Sequence, residues 1–347
     1  MSDDDTSQPS DTMRGRVQES RWKIWLLMDA PRWAVAGVVV AGVFLALTVF
    51  SALGLTPLRI TVRDHNATWW LFSPMVGAIV TGVTLVVTIN QLVISQELGP
   101  LGDQRERMQG AIDFREDVGA FLDTEISPPE PASFLGAIVD GIQTYANRLE
   151  EAVADCTDDE LREYTDEYVD GLTDQATVVG NKLEGAQFGT FDVLFAALDF
   201  NYSWKIYEAQ RLRRTHEDSL DDEADEAFET LIEVLEFFGP AREHVKTLYF
   251  QWELVDLSRV ILYASVPALV VTFGMLLYVD TGTFTGVTLG IDDLAWVVNA
   301  AAALTLTPFA VLLSYILRIG TVAKRTLAIG PFILRETDQS SDIDWDE

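Results

Sequence analysis

The chain has 347 residues, 54 of them acidic against 24 Lys and Arg, for a formal net charge of -30, and yet 48% of its residues are hydrophobic. Disorder combines high charge with low hydrophobicity, so this composition excludes it and requires acidic and apolar residues to be segregated along the chain. A charge this large also repels nucleic acid and anionic headgroups, and the length suffices for more than one folding unit.

Lysine occurs only at Lys23, Lys182, Lys205, Lys246 and Lys324. Scarce lysine and dense carboxylates suit a halophile's cytoplasm, where molar salt shortens the Debye length to about 3 Å and screens self-repulsion. An acidic protein of ordinary salt is the alternative. The single cysteine, Cys156, allows no intrachain disulfide, and its acidic neighbours Asp155, Asp158 and Asp159 argue against a reactive thiolate.

Residues 1–32 read as a cytoplasmic tail that ends in an interfacial helix. Arg21-Trp22-Lys23-Ile24-Trp25-Leu26-Leu27 mixes tryptophan with base, which suits the headgroup level, and Pro31 marks a break. Residues 33–95 carry two uncharged stretches, about Trp33–Leu55 and Leu71–Ile94, and residues 259–318 carry two more, about Val260–Val279 and Leu294–Leu317. About 20 mostly apolar residues span a bilayer as a helix, so the sequence predicts four transmembrane helices, two N-terminal and two C-terminal. The first is not expected to be a cleavable signal: its apolar run is too long and a second span follows at once.

Lys and Arg set the orientation. Arg14, Arg16, Arg21, Lys23 and Arg32 precede the first span, and Arg318, Lys324, Arg325 and Arg335 follow the fourth. Arg105, Arg107, Arg242, Lys246 and Arg259 flank the middle. The loop between spans one and two has only Arg59 and Arg63, and the loop between three and four has neither Lys nor Arg. Both termini and the middle region are therefore expected in the cytoplasm of a multi-pass plasma-membrane protein, with the two short loops outside. Asn66-Ala67-Thr68, in the first outside loop, makes Asn66 a candidate glycosylation site, although short sequons also arise by chance.

Residues 96–258 form an acidic cytoplasmic domain, with 38 acidic and 12 basic residues between Gln96 and Asp256. Three apolar stripes at helical spacing predict amphipathic helices: Leu135–Val153, Leu161–Leu183 with Tyr164 and Tyr168 in the stripe, and Leu220–Phe238. Thr157 with Glu160 reads as a capping box. Pro128-Pro129-Glu130-Pro131 and Gly239-Pro240 read as breaks, and Ala241–Asp256 as helix leading into the third span. No alternating strand pattern of any length occurs, so the fold class is all-α, with four transmembrane helices and an inserted cytoplasmic helical bundle. Residues 319–347 make a second cytoplasmic tail.

The most informative pattern lies in the second span. Pro74, Gly77, Thr81, Thr84, Thr88, Gln91 and Ser95 recur at intervals of three and four, which puts small and polar residues on one strip of the helix. Such a strip is either a packing face, where small residues allow close approach, or the lining of a pore, where hydroxyls and an amide replace ion hydration. Asn90 lies off the strip. Pro267 in the third span and Pro308 in the fourth are candidate hinges.

No Asp, Glu, Lys or Arg lies within a span, which weighs against a pump or coupled transporter. His65, His216 and His244 are scattered, and no zinc, nucleotide or nucleophile motif occurs, so neither catalytic residues nor a cofactor or metal is expected. The run Asp221-Asp222-Glu223 with Asp225-Glu226 lacks the order of a calcium loop. The basic cluster Lys205, Arg211, Arg213, Arg214 and His216 either pairs with acidic faces of the bundle or receives an anion.

Phe238-Gly239-Pro240-Ala241-Arg242-Glu243-His244 and Gln251-Trp252-Glu253-Leu254 carry a likeness: the layout resembles that of uncharacterised haloarchaeal four-span integral membrane proteins. More loosely, in topology only, it is similar to bestrophin-like channels, which pair two early and two late spans around a cytoplasmic helical domain and line the pore with the second span. That similarity implies an oligomeric channel. The other readings are a membrane scaffold or signalling protein that binds a cytoplasmic partner and, with no residue constellation to support it, a membrane enzyme. The lipid bilayer and further copies of the chain are the expected partners; nucleic acid is not.

Overall fold

The computed structural model describes Trp25 and residues 30–53, 58–122, 127–186 and 191–325. Most of the N-terminal basic flank, the interfacial segment other than Trp25, the end of the first predicted span and Arg335 lie outside the described residues.

Among the described residues the chain is all-α apart from one ribbon of two-residue strands. In order come α1 (Arg32–Ala52), α2 (Leu58–His65), α3 (Ala67–Glu97), α4 (Leu101–Phe121), α5 (Pro131–Val153), α6 (Asp159–Leu183), α7 (Phe191–Leu198) and α8 (Tyr202–Thr215). These are followed by α9 (Asp222–Tyr278), strands β1 (Val287–Thr288) and β2 (Ile291–Asp292), α10 (Asp293–Thr305) and α11 (Thr307–Arg325). The antiparallel β1–β2 pair is too short to show an alternating pattern in sequence. Helices α1, α3 and α9 are long and apolar enough to cross a bilayer. The pair α10–α11, bent by 41° at Leu306, makes a fourth span if counted as one. Pro308 is the second residue of α11, and its ring cannot donate to Leu304. Pro267, by contrast, lies within unbroken α9.

Two compact units result, one built on Gly99–Phe250 and the other on Ser20–Leu98 and Gln251–Lys324. In the first, the predicted stripe of α5 is the core: Leu135, Ile138, Val139, Ile142, Ala146, Leu149 and Val153 are all buried. Leu161, Tyr168, Leu172, Val179 and Leu183 of α6 meet it, as do Phe228, Leu231, Leu235 and Phe238 of α9. Glu130 caps α5 by accepting from Ser133 N–H at 2.8 Å, with Pro131 as the first helical residue, so the proline-rich break holds.

Three local expectations are corrected. Gly239-Pro240 does not break the chain, because α9 runs straight through it. The glycine instead makes room: a Cβ there would lie 3.1 Å from the Tyr202 ring, which packs on Phe238. The cap of α6 is Asp158, not Thr157; its Oδ1 accepts from the N–H groups of Glu160 (3.0 Å) and Leu161 (3.2 Å). Tyr164 is half-exposed, and Thr165 is the buried residue of that turn.

In the second unit α1 packs on α10. Ala36, Val86, Leu257, Ile261, Val311 and Tyr315 form one apolar cluster. Val62, Phe72, Met275, Leu294 and Val298 form another. Between α9 and the α10–α11 bend, the buried hydroxyls of Thr272 and Thr305 lie 3.3 Å apart, and each also donates to its own helix backbone. Asn299 donates to Ser51 Oγ at 3.0 Å.

Candidate functional site

Helix α3 has two opposite faces. At 100° per residue, Gly77, Thr81, Thr84, Thr88, Gln91 and Ser95 fall within about 40° of one line. Thr68, Phe72, Ile79 and Val86 fall on the far side, and these four are the buried ones among the described side chains of the helix. Every residue of the strip, with Pro74 at its head, is exposed on the chain. The described residues leave it uncovered: a Cβ added at Gly77 would meet nothing within 4 Å, whereas one at Gly82, on the inward side, would lie 3.4 Å from Phe309.

Three of its hydroxyls are satisfied by the helix itself: Thr84 donates to Val80 O (2.9 Å), Thr88 to Thr84 O (2.8 Å) and Ser95 to Leu92 O (2.7 Å). The Gln91 amide has four hydrogen-bonding sites, more than the backbone carbonyls of its own helix can satisfy. The outward faces of the other long helices differ in kind. Val38, Leu45, Val49 and Phe50 of α1 and Leu262, Val266, Val270, Phe273 and Leu277 of α9 are all exposed and apolar. Asn90, off the strip, is half-buried, and its Oδ1 is enclosed without a hydrogen bond among the described residues.

Charged side chains that sequence reasoning had counted only as flanks are built into two clamps. Near one end of the unit, Arg32 pairs with Glu253 and lies 4.9 Å over the Tyr315 ring. The Tyr315 hydroxyl donates to Asp256 at 2.5 Å, and Arg318 donates to Ala30 O. At the loops between helices, Arg59 grips Asp292 with two bonds of 2.9 and 2.7 Å and also donates to the carbonyls of Thr281 and Phe284. Asp292 in turn caps α10 through Leu294 N–H. The Arg59 fork holds the Asp292 carboxyl below the usual range and raises the guanidinium's own pKa. Both clamps join residues more than 200 positions apart, so spacing gave no sign of them.

Asn66 precedes α3 in a left-handed conformation (φ 50°) that Asn tolerates. It is exposed, whereas Thr68 of its sequon is buried.

In the other unit the basic cluster is internally paired at three of its five members. Arg213 forks onto Asp225 at 2.6 and 2.9 Å. Lys205 is buried, with Glu208 at 3.6 Å. His216 Nδ1 lies 3.1 Å from Asp158 Oδ2, which also accepts from Ser219 Oγ at 2.8 Å. Those two bonds pull the Asp158 carboxyl down to about 2. Arg211 and Arg214 are exposed. The acidic run has ordinary work: Asp221 caps the start of α9 at Ala224 N–H, and Asp225 holds Arg213. The Cys156 thiol is raised chiefly by burial and next by Asp221, with Asp155 a minor cause.

Among curated proteins and among solved structures, nothing matches the chain. A family model matches it over residues 1–347, end to end. The chain is therefore a member of the family of unknown function DUF7972.

Proposed function

We propose that the chain is the subunit of a homo-oligomeric, channel-like protein of the plasma membrane, in which the α3 strip of each copy faces the symmetry axis. On this reading α1, α3, α9 and the α10–α11 pair cross the bilayer, and the termini and the Gly99–Phe250 unit lie in the cytoplasm. One observation carries it. The strip from Gly77 to Ser95 is exposed from end to end, while the residues exposed on α1 and, from Leu262 to Leu277, on α9 are apolar but for Tyr263.

Lipid is as apolar as leucine, so it suits the α1 and α9 faces and gives nothing to a glutamine amide. A ring of such strips would meet water. Its lining is neutral, with hydroxyls, glycine and an amide, and so would screen ions by size and hydration, not by fixed charge. The looser topological likeness to bestrophin-like channels agrees, as an analogy of layout. The haloarchaeal likeness and the acidic surface point to a high-salt cytoplasm.

A second reading has its own observation. The hydroxyls of Thr84, Thr88 and Ser95 already bond to their own backbone, which leaves a smooth, small-residue face suited to tight packing between copies in a scaffold with no pore.

Oligomer size in detergent, with ion flux through reconstituted liposomes, separates the two. The channel reading expects a ring that passes ions and a Thr84→Leu variant that assembles but conducts at least tenfold less. A strictly monomeric protein, or tight liposomes containing the assembled ring, would sink it.

A further inference from the structure

In the connection from α9 to α10, side-chain chemistry and backbone both depart from what water favours. No charged residue lies between Asp280 and Asp292, in a chain whose Gly99–Phe250 unit is covered with acids, and every residue from Phe284 to Gly290 is exposed. Three of them are large and apolar: Leu289 (87% exposed), Val287 (71%) and Phe284 (48%). Scattered single apolar residues are ordinary on a surface, but an apolar cluster on an uncharged tip marks a contact.

The backbone adds to this. Thr288 pairs with Ile291, so Leu289 and Gly290 are the two central residues of a hairpin turn, and both have positive φ, 54° and 82°. That is the condition of a type I′ turn, which Asn, Asp and Gly meet easily and leucine meets only at a cost. Phe284 is left-handed too, at φ 52°. The leucine gains no packing in return, for it is the most exposed of the described large apolar residues. Positions that break local rules in this way are where function is expected.

The tip is nonetheless held firmly. Arg59 donates to the carbonyls of Thr281 and Phe284, Trp296 Nε1 donates to Thr288 O at 3.1 Å, and the N–H of Asp293 donates to Gly286 O at 3.0 Å. A Cβ at Gly286 would lie 2.2 Å from Asp293 Oδ2, so glycine is required there. The acids that bound the connection are taken up by this scaffold: Asp280 Oδ1 accepts from the N–H groups of Gly282 (2.8 Å) and Thr283 (3.1 Å), and Asp292 takes Arg59.

The neighbouring surface indicates the partner. Leu277 and Tyr278, which end α9, are exposed, as are Trp69 and Trp70 in the first turn of α3. Tyr and Trp favour the headgroup level of a bilayer. Helix α2, which carries Arg59, packs on both α3 and α10. If α1, α3, α9 and the α10–α11 pair span, both ends of the connection and the start of α3 leave the lipid at one surface.

We propose that the tip from Phe284 to Gly290 is an apolar wedge seated at the headgroup level of the leaflet where α9 ends, so that its partner is the bilayer surface. The wedge rests on the spanning reading above, and on neither the ring nor the pore.

The test uses the full-length chain in liposomes, with single cysteines carrying an environment-sensitive dye. The parent chain, whose Cys156 is buried, is the background control. A Leu289→Cys dye should be quenched at least twofold by lipid bearing a nitroxide close to the headgroup, and less by lipid bearing it at the acyl chain end. Leu45→Cys, on the apolar face of α1, should show the reverse order, and Glu163→Cys, exposed on α6, should respond to neither. Leu289→Asn suits a left-handed turn position better than leucine, so it should keep the hairpin and yet weaken the quenching of a Val287→Cys dye at least twofold. Quenching at Leu45→Cys with none at Leu289→Cys overturns the wedge and leaves the spanning reading standing. A blue-shifted Leu289→Cys dye that neither lipid quenches sits against protein, a second copy or another partner, and also overturns it. No quenching at Leu45→Cys removes the spanning reading, and the wedge with it.

Discussion

The two units are built inside out relative to each other. In Gly99–Phe250 the core is mainly leucine, isoleucine, valine, alanine and phenylalanine, with a few paired polar residues such as Lys205 and Asp199, and acids populate the surface. In the unit of Ser20–Leu98 and Gln251–Lys324, the exposed residues are the large apolar ones, while Thr272, Thr305, Asn299, Glu253 and Arg318 are buried. Each is the arrangement its solvent demands: water in the first case, where burying apolar area is favourable, and lipid in the second, where polar groups must find partners inside. The α3 strip departs from the rule of its unit, with small and polar residues on an exposed helix face.

The contrast predicts how substitutions should fall. Glu253→Ala leaves Arg32 without its carboxylate in a largely enclosed site and should cost about 3–5 kcal/mol, read as lost resistance to thermal unfolding in detergent. Leu149→Ala empties a fully buried position and should cost about 2–5 kcal/mol. The same change at the 60% exposed Leu45 should leave detergent stability within about 0.5 kcal/mol. Equal losses at the two leucines would erase the contrast.

A finer probe is pH. Asp158 is depressed to about 2 in the folded chain from an ordinary 3.8. The unfolded state therefore takes up its proton first as pH falls. The contribution is fully present above about pH 4 and fades between about 4 and 2. Asp158→Asn should flatten that part of the stability profile of the Gly99–Phe250 core and leave the neutral-pH fold intact. An unchanged profile would mean that the hydrogen bonds from Ser219 and His216 are not holding the carboxylate.

Much of this was legible in sequence because it depends on neighbours in the chain. Uncharged runs of 20 residues mark apolar helices, and the 3.6-residue period of Leu135–Val153 marks its buried face. The α3 strip could be read as a strip, but its direction could not, since that depends on Phe72, Ile79 and Val86 finding their cores. What escaped was set by distant partners. Gly239-Pro240 looks like a break until Tyr202 packs against it. Arg59 looks like a loop charge until Asp292, 233 residues away, takes it. Glu253 and Asp256 look like helix surface until Arg32 and Tyr315 arrive.

Water access to α3 decides the central claim most directly. Single cysteines at Thr84, Leu45 and Val266, challenged in intact membranes with a charged, membrane-impermeant thiol reagent applied from each side, should react at Thr84 and stay unmodified at Leu45 and Val266. A Thr84 position as inert as the other two would place the strip in lipid or in a dry contact and contradict the account.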